Sequence, residues 1–169
     1  MPLSGLDLSI ALGFTDAEYD EFVDIAQQID PATNMLIRDP VTNLPALLPR
    51  DRSDEEFFNT PNFTATFSVG YTLPSLPIGD LTARVNWYHQ NAVSYGLVSD
   101  TLDQGKYGLL SGRLSLVLPD GKTEIALFGE NLLNRRYLNS GINFEDGFAV
   151  SICYYGAPRM YGLEVRRSF

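Results

Sequence analysis

At 169 residues, 44 % of them hydrophobic and 20 % charged, the chain has the size and make-up of one folded unit rather than of a disordered segment. Its 12 lysines and arginines stand against 21 aspartates and glutamates, and a net charge of −9 argues against nucleic acid, whose phosphates need clustered cations. No run approaches the roughly 18 consecutive apolar residues of a membrane-spanning helix, and "MPLSG" has neither the basic start nor the apolar core of an export signal, so no signal peptide is expected in this chain.

The first element is "GLDLSIALGFT", in which Leu6, Leu8, Ile10, Leu12 and Phe14 alternate with Asp7, Ser9, Ala11, Gly13 and Thr15. A period of two marks a two-faced strand. A long connection follows, from about Asp20 to Asn59. It contains "EFVDIAQQI", Glu21 to Ile29, whose spacing suits a helical turn, and the acidic "RDRSDEEFF" with Asp51, Asp54, Glu55 and Glu56. Those carboxylates suggest a surface site for divalent cations, although their spacing matches no calcium loop and a solvated loop explains them as well.

The second strand, "NFTATFSVGY", sets Phe63, Ala65, Phe67, Val69 and Tyr71 against Thr64, Thr66, Ser68 and Gly70. The tight "LPSLPIGD" leads to "LTARVNWYHQ", with Leu81, Ala83, Val85 and Trp87 opposite Thr82, Arg84, Asn86, Tyr88 and Gln90. After a connection from about Asn91 to Lys106, "LLSGRLSLVL" places Leu110, Leu114 and Leu116 opposite Ser111, Arg113 and Ser115. "PDGK", with its Asp-Gly hairpin signal, joins this strand to "TEIALFGEN", where Ile125 and Leu127 oppose Glu124, Ala126, Phe128 and Glu130. A long connection around Asn139 to Gly147 precedes the last strand, where Tyr161, Leu163, Val165 and Phe169 share a face that Arg167 interrupts.

Long and short connections alternate. In an antiparallel up-and-down sheet every second connection emerges at the same end, so one end carries the long loops and the other only tight turns. Transmembrane β-barrels have this asymmetry, and runs of roughly 9 to 11 residues suit a tilted strand crossing a bilayer core. The polar face carries Arg84, Arg113, Glu124, Glu130, Glu164 and Arg166 among serines and threonines, as a wall facing water or a plug would. Phe14, Tyr71, Trp87 and Tyr161 near strand ends suit interfacial aromatic girdles. Alternation by itself also fits a soluble β-sandwich binding carbohydrate through its long loops, with Leu8, Ile10, Phe67 and Leu114 sealed in a core.

Little in the sequence carries catalytic chemistry. His89 is the sole histidine, and a hydrolase would need it beside a serine such as Ser94 or Ser111 with an orienting third group that no spacing identifies. Cys153 has no partner for a disulfide and reads as a small buried or half-buried side chain. "NRR", Asn134 to Arg136, could meet an anionic ligand or a lipid headgroup, or simply keep a strand end polar.

Three stretches carry a family resemblance. "GLDLSIALGFTDAEYDEF" opens with Gly-Leu and ends in Asp-Ala-x-Tyr-Asp; "LFGENLLNRRY" has Asn131, Leu132, Arg136 and Tyr137; "APRMYGLEVRRSF" has Pro158, Arg159, Tyr161, Gly162 and Phe169. In this order and spacing, Gly5 to Phe169 resembles the C-terminal barrel region of a TonB-dependent outer-membrane receptor. Asn134, where the family usually has an acidic residue, and Arg167, where it usually has an apolar or aromatic one, depart from the pattern.

The resemblance implies an all-β, antiparallel, up-and-down transmembrane β-barrel segment of about six strands, the last six of about 22, occupying positions 1–169 with no plug domain. It implies uptake of a scarce ligand (ferric siderophore, cobalamin or saccharide) across the Gram-negative outer membrane, with no enzymatic activity and no cofactor or metal. Implied partners are outer-membrane lipid and lipopolysaccharide, the remaining strands and plug of the full receptor, the TonB complex through an N-terminal part without counterpart here, and the barrel-assembly machinery. Ligand-facing candidates are Arg84, Tyr88, Arg113 and the loop aromatics Phe57, Phe58, Tyr95 and Tyr107; Phe169, Val165, Leu163 and Tyr161 resemble the terminal assembly signal. Six strands are fewer than the eight of the smallest single-chain barrels, and an open edge in lipid leaves backbone groups unpaired, so the chain is expected to be a fragment inactive alone. A lipid-facing Arg167 near the periplasmic end is expected to cost only about 0–1 kcal/mol, with its stem snorkelling to the headgroups.

Overall fold

The computed structural model describes residues 4–27, 29–30, 32–96, 100–144 and 150–169. Six antiparallel strands form one sheet in strict sequence order. They are β1 (Leu6–Phe14), β2 (Phe63–Leu76), β3 (Gly79–Gln90), β4 (Tyr107–Val117), β5 (Thr123–Glu130) and β6 (Met160–Arg167). Each strand pairs with its chain neighbour, as an up-and-down meander requires. β1 and β6 are its edges, so the sheet is an open wall and not a closed barrel.

Register gives the wall its two faces. Leu12, Ala65 and His89 fall in one cross-strand row, and Leu114 stands between Ala83 and Leu127, which in turn pairs with Leu163. Because side chains alternate with period two, one such match carries the apolar alternation of all six strands to the same side, while Leu109, Val117, Ala126, Phe128 and Met160 fall on the opposite one. That side is bare. Leu8 is 65 % exposed, Ile10 66 %, Phe67 42 % and Leu114 42 %. A sandwich would have sealed these four side chains beneath a second sheet, so the soluble-sandwich reading is corrected: the main sheet is a single layer with an uncovered greasy face.

Aromatic residues on that face lie near strand ends, except Phe67, which pairs with Ile10 at the middle of β1. Phe14 and Phe63 pack with ring centroids 5.0 Å apart at the end carrying the long loops, where Trp87 and Tyr161 also lie. Tyr71, paired with Leu6 and Ala83, lies toward the opposite end.

The turns follow from local chemistry. β2 and β3 run longer than the sequence implied and are joined by Pro77 and Ile78 alone, with Leu76 paired to Gly79. Gly79 has φ 126°, and a Cβ there would come within 2.0 Å of the Val117 carbonyl oxygen, so only glycine lets the two tight turns lie side by side. At the other tight turn the Gly121 N–H donates to the Leu118 carbonyl at 2.9 Å, and Gly121 takes φ 64°. Asp120 accepts from the backbone N–H groups of Lys122 and Thr123, both at 2.9 Å, as an Asx turn does.

The three outer connections, 15–62, 91–106 and 131–159, hold structure of their own. "EFVDIAQQI" is not a helical turn: Val23–Gln27 pairs antiparallel with Leu47–Asp51, because its β-branched residues find a partner strand that local spacing could not show. The last outer connection begins far earlier than the sequence suggested. β5 ends at Glu130, and the chain turns through Asn131 and Asn134, both at positive φ, before the hairpin Leu138–Asn143 with Ser151–Tyr155. Residues 145–149, within the connection expected around Asn139 to Gly147, lie outside the described residues.

These loops pack on one another. Leu102, fully buried, sits against Gly96 of its own loop and Gly141 of the third, where an added Cβ would meet it at 3.1 and 2.6 Å. Gln104 accepts a hydrogen bond from the Leu138 N–H. The first loop joins the second through the Asn59 N–H to the Ser94 carbonyl at 2.8 Å. Most of the strongly buried apolar side chains among the described residues lie at or above the outer end of the wall, the exceptions being on β5 and β2: Ala126 and Ala65.

Candidate functional site

The polar face divides along its length into a charged half and a hydroxyl- and amide-rich half. In the charged half Arg113 lies directly across from Arg84 on β3. Like charges opposed in a sheet repel, and each guanidinium turns to a different acid. Arg84 reaches Asp7 on β1 at 3.5 Å, crossing β2 where Gly70 leaves room. Arg113 reaches the other way, donating to Glu124 at 3.1 Å and Glu164 at 2.9 Å. Arg166 donates to the second oxygen of Glu164 at 2.9 Å and approaches Glu124 at 3.9 Å. All these groups keep contact with water, so each pair by itself contributes little. Together they tie β4, β5 and β6.

Toward the outer end the chemistry changes. Tyr88, Gln90 and Tyr107 share the inner face near the strand tops, and the Tyr88 and Tyr107 hydroxyls both donate to Gln90 Oε1, at 2.8 and 3.2 Å. Tyr137, from the third outer loop, stacks on Tyr107 at 4.7 Å. Tyr95 of the second loop belongs to the same group, and burial pushes its phenol upward. Beneath them a cavity of about 280 Å³ is lined by Thr66, Asn86, Tyr88, Ser111, Glu130 and Tyr137. Asn131 shapes its rim: the amide donates to the carbonyls of Arg135 and Ala157 at 2.8 and 3.0 Å and accepts from the Arg135 N–H at 2.8 Å, pinning the turn after β5 to the lead-in of β6.

The sequence-derived ligand-facing residues therefore do not form one cluster. Tyr88, Tyr95 and Tyr107 come together; Arg84 and Arg113 belong to the ion-pair network; Phe57 and Phe58 lie in the first outer loop. There Tyr19 stacks on Phe22 and Phe57 at 4.8 and 4.6 Å, and Phe57 borders a second cavity, about 320 Å³, with Asp16, Glu18, Glu56, Asn62 and Asn91. Gln90 and Tyr137 were missed. Gln90 stands in register with Tyr88, which the alternation displays, but its role as shared acceptor depends on β4 lying alongside.

Other sequence candidates resolve structurally. His89 falls on the greasy face, 6.1 Å from the Phe63 ring, with Nε2 3.3 Å from Asn91 Oδ1. Ser111 is on the opposite face, and the Ser94 hydroxyl donates to the Gly96 carbonyl. No serine–histidine pair of a hydrolase exists among the described residues. In the acidic stretch, the Ser53 hydroxyl and N–H hold the Asp51 carboxyl below its ordinary range, and Glu55 pairs with Arg50 at 3.5 Å, so this stretch folds its own loop. Tyr161, Leu163, Val165 and Phe169 all stand exposed along the outer edge of β6 and just beyond it. Arg167, in register with Thr123, donates to that hydroxyl at 3.2 Å and approaches Asp120 at 3.9 Å. Its side chain thus reaches the neighbouring turn at the end of the wall away from the long loops.

No protein-family model matches the chain. Among solved structures, the ferric yersiniabactin uptake receptor FyuA from Yersinia pestis is similar at TM-score 0.58 and 22 % identity, over 66 % of this chain and 17 % of that one. BauA, the ferric preacinetobactin receptor from Acinetobacter baumannii, aligns at TM-score 0.47 and 15 % identity over 99 % of this chain and 28 % of that one. The fold assignment rests on the first. This chain spans well under half the length of either receptor, and its main sheet is similar in fold to a stretch of the barrel wall of the first.

Proposed function

We propose that the chain supplies six wall strands and three outer loops of a TonB-dependent uptake receptor in the Gram-negative outer membrane, that it catalyses no reaction, and that the receptor's cargo is a ferric siderophore. The observation that carries this reading is the uncovered apolar face of a single sheet backed by a polar, ion-paired face. Lipid is the environment in which that face is stable, since an aqueous one would leave a contiguous greasy surface far larger than soluble monomers expose. The likeness to FyuA supports the choice of siderophore over cobalamin or saccharide. In the full receptor the charged half of the inner face would meet the plug, the open edges of β1 and β6 would pair with the remaining strands, and Phe169 with its register mates would be read by the barrel-assembly machinery.

The test is spin labelling of the full chain refolded in outer-membrane lipid or detergent. Labels at Leu8 and Leu114 should be reached by oxygen and shielded from a water-soluble chromium complex, with the reverse at Ser68 and Ser115. A monomeric chain that is soluble without detergent, with labels at Leu8 and Leu114 shielded from both reagents, would sink the proposal.

A further inference from the structure

The connection that leaves β5 folds back over the greasy face before it rises into the third outer loop. Leu132 lies above Gly112 and Gly129, where an added Cβ would meet its methyls at 3.5 and 2.6 Å, and both glycines belong to the apolar register of Leu114 and Leu127. Leu133 beside it is 58 % exposed, and Tyr161 borders Gly129 from β6. The outer rim of the wall is thus apolar on its lipid side.

Just beyond that rim the fold holds three arginines together. Asn134 Oδ1 accepts from the Arg159 N–H at 3.4 Å, the Gly156 N–H donates to the Tyr137 carbonyl at 2.9 Å, and the Asn131 amide spans the carbonyls of Arg135 and Ala157. Residues 134–137 and 156–159 therefore run side by side. Arg135 and Arg136 are fixed alongside Arg159, and all three are exposed.

Their charge is not neutralised within the fold. Arg50, Arg52, Arg84, Arg113, Arg166 and Arg167 each approach a carboxylate at 2.9 to 3.9 Å, and Arg38 donates to the Asn43 carbonyl. Arg135, Arg136 and Arg159 have no ion-pair partner among the described residues, although the chain carries 21 carboxylates. Two of them lie over aromatic rings instead, Arg136 over Tyr155 at 4.1 Å and Arg159 over Tyr161 at 5.8 Å. A guanidinium stacked by its face keeps its edge N–H groups for a forked acceptor, and a phosphate is such an acceptor.

We propose that Arg135, Arg136 and Arg159 form a site for the phosphate of an anionic lipid headgroup in the outer leaflet. A soluble phosphate would answer the charge equally well, but the apolar rim selects lipid, because Leu132, Leu133 and Tyr161 offer a surface for acyl chains directly beside the cations. The site lies wholly within β5, β6 and the connection between them, so it needs no strand from outside this chain. It rests on the reading of the wall as membrane-spanning and adds a lipid partner to it.

Fluorescence quenching of the full chain in phosphatidylcholine vesicles tests it, with Trp87→Phe and Leu133→Trp together moving the sole tryptophan to the site. The probes are a bis-phosphorylated lipid A with brominated acyl chains, added as a minor component, and the same brominated lipid stripped of its phosphates. The phosphorylated form should quench with an apparent affinity at least about fivefold higher at low salt. At the native Trp87, on β3, the two forms should quench alike.

Arg135→Gln, Arg136→Gln and Arg159→Gln together should abolish the preference, and lysine at the same three positions, which keeps the charge, should retain most of it. Comparison of the two lipid A forms leaves the arginines unaltered, so it decides the matter even where the glutamine variant fails to insert. Inorganic phosphate at constant ionic strength should leave the preference intact; its loss would show a soluble-anion site and overturn the lipid assignment. Brominated phosphatidylcholine reports insertion. Quenching of Trp87 by that lipid, with no preference between the lipid A forms at the Leu133 position, would overturn the site and leave the wall in the membrane. Absence of quenching at both positions would overturn the site and the membrane reading together.

Discussion

Arg113 on β4 donates from Nη1 to Glu164 Oε2 on β6 at 2.9 Å, spanning the whole of β5. The reach is possible because Ala126, the β5 residue paired with Glu164, is small and almost fully buried beneath it. Arg113 thereby acts as a cross-tie over three strands, and Glu124 and Glu164, which would repel each other alone, share its charge.

Arg113→Gln should therefore loosen the β5–β6 hairpin rather than the whole sheet. The expected outcome is faster amide exchange along Met160–Arg167 with exchange in β2 and β3 unchanged, most evident at low salt. Uniform acceleration across the sheet would refute the cross-tie.

The Asp120 turn makes stability depend on pH. Backbone N–H groups of Lys122 and Thr123 and the Thr123 hydroxyl, with Arg167 further off, hold its carboxyl below the ordinary value of 3.8. A folded-state value below the unfolded one stabilises the fold above about pH 3.8, and this contribution is lost as pH falls through the lower folded value. Asp120→Asn keeps the shape and removes the charge. Its denaturation midpoint should fall below wild type at neutral pH and converge with it in strong acid; a gap that persists there would show that the charge is not responsible.

Trp87 is the only tryptophan, and Gly108 on β4 lies beneath it, so that a Cβ at that glycine would come within 2.2 Å of the indole. In lipid with brominated acyl chains the Trp87 emission should be strongly quenched. Gly108→Ala must push the ring off the strand and should shift the emission maximum without unfolding the sheet. An unquenched, unshifted signal would remove Trp87 from the lipid face.

Gln90 accepts from two tyrosine hydroxyls while only 8 % exposed. Gln90→Leu leaves both without their acceptor, and a loss of about 1–3 kcal/mol of stability is expected from denaturant titration, with Gln90→Glu, which retains an acceptor, closer to wild type. Indifference to Gln90→Leu would mean that water replaces the bond at no cost.

A lipid-facing charge should matter by depth. Leu127→Arg, at mid-strand on the greasy face, should cost about 2–4 kcal/mol in bilayers, whereas Arg167→Leu at the strand end should change stability by about 0–1 kcal/mol. Equal effects at the two positions would contradict a membrane-spanning wall.

How much of this was legible beforehand differs by feature. Asp7 through Phe14, Thr64 through Tyr71 and Leu81 through Tyr88 announce two-faced strands because side-chain direction alternates with every residue, a property of the chain alone. Asp120-Gly121 announces its hairpin because one flexible residue after an Asx acceptor closes a turn locally. Alternating loop lengths place the long connections at one end by counting. The Val23–Gln27 ribbon, by contrast, looked helical, because the strand it needs lies some two dozen residues further on.

The sequence by itself determined which side of each strand is apolar, where the tight turns fall and that Arg167 breaks the last apolar register. Only the tertiary structure decided the partners: Arg113 with Glu164, Arg84 with Asp7, Arg167 with the Asp120 turn, Gln90 between two tyrosines, and Leu102 seated against Gly141. The reason is physical. Alternation is fixed by the geometry of a single strand, whereas a side chain's partner is fixed by the register between strands and by the packing of loops, neither of which exists until the sheet has formed.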